Sequence, residues 1–489
     1  MLQIILTNEF YFIFSIFLLF SFCIHYGIFN KKFLYQLQNQ IFINSTLFVC
    51  YYLLLLCIGI RSIKYSFFNI VLIDTYSLSL QIIITVFTIA ILFLSLTFVR
   101  IERVNYFEIY LLLLIAVLGL LFLIELIDLL GIYISVELVS LSFHILTAFS
   151  KHNVYATEAA LKYFILGSIS SNFILFGFSY IYVITGMTNI IEINKLIIYY
   201  IADSVDKIYL FHSNILVSSI IFSLFFIFLG FLFKIYSAPF HLWIPDIYNN
   251  APLLITAFFS TLPLIPFINI ILRFSLYFNI LSSFLSYFFL LFAFCSIIFG
   301  ALGALFQSKI KRLLAYSAVT HVGYFLLFIY LLLKINELNI YLLQLFFTYI
   351  FLYLVTNIGI FGILINMYSY IKINHINELF HISKLYKSNW LLCFIFAIFF
   401  FSISGIPPLS GFVGKLFLFS SILSLGDKIF LFLVLMLYAT ISSFYYVRII
   451  KILYFNEYNE WHFFPMIQYS SSILITLIFL FVSHFFFFF

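Results

Sequence analysis

Charge is what this sequence has least of. Only 8% of its 489 residues are Asp, Glu, Lys or Arg, whereas a soluble fold of this length carries about a quarter. A water-soluble globular protein is thereby excluded. Cysteine is scarce too. Cys23, Cys50, Cys57, Cys295 and Cys393 lie in or near apolar runs and form no C-x-x-C pair. They read as packing residues, with neither a disulfide framework nor a metal site. No phosphate loop, Rossmann glycine pattern, haem ligation or iron–sulfur spacing occurs, so the chain reads as one that carries protons or ions but not electrons. Glycine numbers 17 against 71 Phe and 36 Tyr. Such a bias suits an AT-rich genome, an organelle's for example.

What the sequence has instead is long apolar runs. They recur from end to end, each of about twenty residues and so able to cross a bilayer as a helix. The fold class is therefore an all-α polytopic membrane protein, with nearly all backbone polar groups satisfied inside helices. Apolar runs and their polar breaks give about fourteen transmembrane helices. The first run, from Phe10 to about residue 28, lacks a preceding basic region and a following cleavage site, so it reads as a span and not a removed signal. The polar stretch 187–212, with Glu192, Asp203 and Asp206, reads as a surface connection carrying an interfacial helix.

The lysines and arginines test the count. Numbering the loops alternately puts 13 on one side (Lys31, Lys32, Arg100, Arg103, Lys151, Lys309, Lys311, Arg312, Lys372, Lys384, Lys387, Arg448, Lys451) and 7 on the other (Arg61, Lys64, Lys195, Lys207, Arg273, Lys334, Lys428). The richer side is cytoplasmic or matrix. The net charge of +6 reflects this bias and is no sign of nucleic-acid binding. Glu125 and Asp128 fall at a short turn, and a solvated turn explains them.

Three lysines fit no loop: Lys162, Lys234 and Lys415. An ionisable group within a span is costly and usually pairs or lines a water path. Glu137, in YISVELVSLSFHIL, lies about two turns inside the fifth span and must be protonated or paired. Lys162, in TEAALKYFILGSISS, opens the sixth span, and a short link makes the two spans antiparallel neighbours. Glu137 and Lys162 are thus partners in a switchable pair, although a lysine so near a span end can also snorkel to the interface. In FKIYSAPFHLWIPD (233–246), Pro239 removes a backbone donor and frees a carbonyl near Ile235. A helix broken at membrane depth is tolerated only beside protein or water, so Lys234 and His241 read as relay groups in a polar cavity. An interfacial cap competes for His241. A second break, at Gly405, Pro407 and Pro408, is followed by Lys415. Two proline-broken spans in corresponding halves point to inverted repeats. Between them, in QSKIKRLLAYSAVTHVGY, the cluster Lys309, Lys311 and Arg312 reads as a positive-inside anchor. Tyr316 and His321, with Ser317 and Thr320, form a deeper stripe able to hold water.

FKIYSAPFHLWIPD with NNAPLLITAF, KRLLAYSAVTHVGY, GIPPLSGFVGKLFLF and EAALKYFILGS together resemble the antiporter-like chain 2 family of respiratory NADH:ubiquinone oxidoreductase, complex I. The resemblance covers roughly residues 100–455. It implies two inverted five-helix repeats, with broken helices near Pro239 and Pro407, over residues 106–275 and 276–455. Three N-terminal spans (1–105) precede them and a C-terminal span (456–489) follows. It implies proton translocation coupled to electron transfer from NADH to ubiquinone, with Glu137 and Lys162 as the charged pair. Lys234 and Lys415 become the broken-helix lysines, and His241, Tyr316 and His321 fall on the hydrophilic axis. It implies no cofactor in this chain, with NADH, FMN, iron–sulfur clusters and ubiquinone in the rest of the complex. The partners are other membrane-arm subunits and lipid, with no nucleic acid and no soluble small-molecule substrate. The location is the mitochondrial inner membrane, or alternatively a bacterial plasma membrane. One position departs from the family: the lysine expected after Pro263 is Leu264. Arg273 reads as too near the surface to replace it, leaving water, a hydroxyl or His321 as bridges. A secondary cation/proton antiporter subunit and a non-pumping structural subunit are the rival readings.

Overall fold

Apolar surroundings leave the backbone no hydrogen-bond partner but itself, so the chain is built almost wholly of helices. The computed structural model describes residues 2–29, 34–58, 64–66, 70–102, 108–150, 153–203, 210–334, 340–368, 379–424, 429–455 and 469–488. Among these, eleven helices are long and apolar enough to span a membrane. Shorter apolar helices cover Tyr11–Cys23, Trp390–Ser404, Ser410–Leu423 and Tyr469–His484. Length and composition do not fix the exact total of fourteen. Several loops used to read the charge bias, with Lys31, Lys32, Arg61, Arg103, Lys151, Lys207, Lys372 and Lys428, lie outside the described residues. All five cysteines are free; Cys23 and Cys393 are buried, whereas Cys50 and Cys57 are exposed.

The chain divides into two compact units. The first holds α1 (Leu2–Phe29), α2 (Leu34–Ile58), strands β1 (Lys64–Ser66) and β2 (Val71–Ile73), and the first part of α3 (Thr75–Glu102). It continues with α4 (Glu108–Glu125), α5 (Leu129–Thr147), α6 (Val154–Thr185), α7 (Ile190–Asp203) and α8 (Leu210–Lys234), and also takes in the later α11 (Leu264–Tyr277). β1 and β2 pair antiparallel, Lys64 opposite Ile73. Asp74 then caps α3 reciprocally: the Ser77 amide donates to its Oδ1 at 2.7 Å, and its own amide donates to the Ser77 Oγ at 2.9 Å. Asp128, expected in a solvated turn, caps α5 by accepting from the Gly131 amide at 3.3 Å. α7 is the expected connecting helix. It buries Ile190, Ile193 and Ile197 on one face, at helical spacing, and packs on α8 and α11.

α6 and α8 pack together most extensively, and two glycines let them approach. A β-carbon at Gly177 would meet the Ser223 carbonyl at 2.8 Å, and one at Gly230 would meet the Ser170 carbonyl at 2.8 Å. Close packing through small residues is a general feature of helix pairs in membranes.

The second unit holds the end of α3, α9 (Trp243–Asn250), α10 (Leu253–Thr261), α12 (Ser282–Leu305), α13 (Ile310–Lys334) and α14 (Ile340–Tyr368). α15 (Lys384–Ser388), α16 (Trp390–Ser404), α17 (Ser410–Leu423), α18 (Ile429–Phe455) and α19 (Tyr469–His484) complete it. Both breaks expected at prolines are present: α8 stops at Lys234 and helix resumes at Trp243, and α16 stops at Ser404 and resumes at Ser410. Gly405 ends α16 with φ +84°, the left-handed cap that glycine adopts without steric cost. A third break was not expected. The apolar run 252–274 parts at Leu262 and Pro263 into α10 and α11, because Pro263 has no N–H to give the helix.

Basic side chains close helix ends in this unit. The Lys311 ammonium donates to the carbonyl of Ala251, the cap of α9, at 2.8 Å, and Arg448 donates to the carbonyl of Leu305, which ends α12, at 2.9 Å. Unsatisfied carbonyls and the negative end of the helix dipole both favour a cation there. Lys311 is thus more than a positive-inside anchor. Arg312 joins it by pairing with Asp246 of α9 at 3.0 Å.

Candidate functional site

The residues singled out from the sequence fall into two groups. Glu137, Lys162 and Lys234 lie in the first unit; His241, Tyr316, His321 and Lys415 lie in the second.

In the first unit, Glu137 sits on α5 and accepts from the Ser140 hydroxyl at 3.0 Å. The Tyr133 hydroxyl is within hydrogen-bonding reach of the same carboxylate. Lys162, expected to pair with Glu137, forms its 2.6 Å ion pair with Glu158, one turn earlier on α6. The i, i+4 spacing on one helix makes that partner nearer at hand. Lys234 is the last residue of α8. Its ammonium is shielded from solvent and has no hydrogen-bond partner among the described residues. Glu137 is close enough to act on it electrostatically. An ammonium at a helix C-terminus is favoured by the dipole, but a buried one with no acceptor is costly unless a charge or water serves it.

A further side chain completes this set and was missed in the sequence. His144 lies seven residues after Glu137 on α5, two turns along the same face. Its ring packs edge-on against Tyr163 at 4.6 Å and Phe164 at 5.3 Å. The Tyr163 backbone approaches it, but neither ring nitrogen makes a well-formed hydrogen bond among the described residues, and both are shielded. Glu137 and Lys234 both lie within its electrostatic range. The i, i+7 spacing of an acid and a histidine within one apolar span was the available signal. Carboxylate, ammonium and imidazole together can hold and pass a proton, since moving one charge alters how tightly the others hold theirs.

In the second unit, His241 lies in the break and is 5% exposed. It faces Tyr316 ring to ring at 6.0 Å and Phe299 at 5.8 Å, which brings together two residues expected on one axis. His321, 3% exposed, has its Nδ1 2.9 Å from the Tyr349 hydroxyl and its ring 4.5 Å from that of Tyr353. Tyr349 and Tyr353 are one turn apart on α14, and with Tyr324, Tyr445 and Tyr446 they make a buried tyrosine cluster. Among so many aromatic residues, these hydroxyls gave no distinct signal in the sequence. Lys415, on α17, is 6% exposed and donates to the Ser404 carbonyl at 2.7 Å. It lies 6.0 Å from the centre of the Tyr324 ring, within cation–π range. Hydroxyls and imidazoles both donate and accept, so this unit offers a chain of groups able to relay a proton.

Leu264, the first residue of α11, is 1% exposed. One turn and a half further on, Asn269 is wholly buried, and neither end of its amide is paired among the described residues. Arg273, expected near the surface, is 9% exposed. Among the described residues, no group of three His, Cys, Asp or Glu side chains converges as a metal site.

Residues 127–442 match the family described as NADH:quinone oxidoreductase/Mrp antiporter, transmembrane. The chain is 34% identical over 419 residues to NADH-ubiquinone oxidoreductase chain 2 of Marchantia polymorpha, covering 86% of this chain and 82% of that one. It is 32% identical over 404 residues to NADH-quinone oxidoreductase subunit N of Parvibaculum lavamentivorans, covering 82% and 78%. In fold it is similar to a chain of respiratory complex I from Thermus thermophilus, with TM-score 0.74, 22% identity and coverage of 98% and 96%. It is also similar to a chain of the Mrp complex from Dietzia, with TM-score 0.73, 18% identity and coverage of 92% and 80%.

Proposed function

Because the chain belongs to the NADH:quinone oxidoreductase/Mrp antiporter membrane family, we propose that it translocates protons as a membrane-arm subunit of NADH:ubiquinone oxidoreductase. The observation that carries this reading is Lys234: a shielded ammonium at the end of a broken helix, unpaired by hydrogen bonds among the described residues and facing the field of Glu137. A purely structural lysine would be paired. Glu137, with Lys162 and Glu158 nearby in sequence order on the next helix, gates charge, and Lys234 and His144 hold it. His241, Tyr316, His321 and Lys415 carry it in the second unit. The broken helices near Pro239 and Pro407 belong to two inverted five-helix repeats over 106–275 and 276–455. Electron transfer from NADH to ubiquinone takes place elsewhere in the complex, on its FMN and iron–sulfur clusters, and drives the charge movements here. The partners are neighbouring membrane-arm subunits and lipid, and the location is the mitochondrial inner membrane.

Leu264 favours a second reading, a subunit that keeps the fold but does not pump. Native-gel separation of gently solubilised membranes tests the assignment. Co-migration of this chain with NADH dehydrogenase activity supports it, and migration in a smaller assembly without that activity refutes it. Within the active complex, Lys234→Met is expected to abolish this subunit's share of pumping. Unchanged proton yield per electron would establish the non-pumping reading.

A further inference from the structure

Besides the group around Lys234, buried polar side chains gather at two places. One is Glu125, which is 3% exposed although its place at a turn suggested a solvated side chain, and whose carboxylate accepts from the Gln81 amide. The other, around His321 in the second unit, turns on Tyr349.

Tyr349, on α14, is 2% exposed. Its ring is held by two helices. From α13 come Phe325, edge-on at 5.2 Å, and Phe328 at 6.1 Å. From α17 comes Gly414, so near that a β-carbon there would overlap the Tyr349 ring; only glycine allows the backbone that approach. The ring so held puts its hydroxyl 2.9 Å from His321 Nδ1, the one hydrogen bond that the imidazole makes among the described residues. A phenol is the stronger acid of the two and an imidazole nitrogen the stronger base, so the hydroxyl donates and Nδ1 accepts. A neutral imidazole carries its single proton on the other nitrogen, here Nε2. The nitrogen able to take a second proton is therefore the one that Tyr349 covers. The Tyr353 ring lies 4.5 Å from that of His321 and tilted 31° to it, and Tyr324 lies at 6.0 Å. An aromatic face favours a cation, so these surroundings suit the charged ring as well as the neutral one.

We propose that His321 gains and gives up its second proton through the Tyr349 hydroxyl. This rests on proton translocation as the chain's function. In loading, the phenol oxygen takes the incoming proton while its own O–H bond breaks and that proton forms the Nδ1–H bond. The product is a neutral phenol accepting from an imidazolium. Unloading is the reverse, and the Nε2 proton is kept throughout. Because the Tyr349 ring also rests on Gly414, next to Lys415 in the chain, a shift of α17 at the second break reaches the hydroxyl through that ring.

Infrared difference spectroscopy of the purified complex, carrying isotope-labelled histidine, tests this. The neutral tautomers and the imidazolium have different ring bands, and a band lost in His321→Gln belongs to His321. Tyr349→Phe keeps the ring and removes the hydroxyl. In it the resting His321 band is expected to shift, and its change during NADH-driven turnover to be lost. Proton yield per electron should fall to that of His321→Gln. An unshifted band would overturn the proposal, because the hydroxyl then makes no bond to His321. A shifted band that still responds to turnover, or an unchanged proton yield, would overturn it too, by showing a bond that is structural only. If Tyr349→Phe does not assemble, labelled tyrosine in the parent complex decides. Turnover must then change a tyrosine C–O band together with the His321 band; a His321 band that changes alone, or not at all, refutes the proposal. Lys234→Met is measured in parallel. If it pumps normally while Tyr349→Phe loses the His321 response, the reading of Lys234 fails and Tyr349 keeps its role.

Discussion

The Lys415 ammonium reaches back eleven residues to the carbonyl of Ser404 at 2.7 Å, so the lysine that follows the second break satisfies the helix end that the break exposes. Lys234 lies before its break and not after it, as the last residue of α8, and its ammonium meets no acceptor among the described residues. The helix dipole favours a cation at the last residue of α8, and the Lys415 ammonium meets the last turn of α16 directly. The position of each lysine has a structural reason as well as a chemical use, and the two can be separated by experiment.

Lys415→Met removes the donor and leaves a buried carbonyl unsatisfied. A loss of about 1–3 kcal/mol of stability is expected. It would be read as a lower midpoint of thermal inactivation of the purified complex. An unchanged midpoint would mean that water takes over the carbonyl.

Glu137→Gln keeps the Ser140 hydrogen bond but removes the charge acting on Lys234. Proton yield per electron is expected to fall while assembly, followed by native gel, is unchanged. Equal yields would show that Glu137 has no part in setting the state of Lys234.

Gly167→Ala tests His144. A β-carbon there would lie 3.0 Å from the imidazole Nε2, which is tighter than ordinary contact, so the ring must move. If His144 relays protons, this variant is expected to slow pumping, and His144→Gln to slow it further. If His144 only packs, His144→Phe will pump like the parent.

Leu264→Lys places an ammonium at a site that is 1% exposed. Without a partner it would cost several kcal/mol and the complex would fail to assemble. Assembly with a gain in proton yield would instead show that a receptive polar path already passes there. Asn269→Leu is the companion. It removes an unpaired buried amide, and increased stability with reduced pumping is expected if that amide holds a water in the path.

Arg312 and Asp246 are both more than a third exposed, and such pairs are worth about 0–1 kcal/mol. Arg312→Ala is therefore expected to lower the inactivation midpoint only slightly. A large drop would show that another part of the complex covers the pair.

The sequence by itself determined that this is a helical membrane protein, where two of its helices break, and which lysines cannot be explained as loop residues. Those properties are local. A run of apolar residues has one way to satisfy its backbone, and a proline removes its donor wherever it lies. Family motifs at fixed spacing added the site residues by resemblance. The tertiary structure decided partnership. It gave Lys162 to Glu158, put His144 beside Glu137 and Lys234, and gathered tyrosines from α13, α14 and α18 around His321. It buried Glu125 and Arg273, which looked like surface residues. Partnership depends on which helix faces which. In a chain so uniformly apolar, the pattern along one helix does not reveal the face its neighbour will cover.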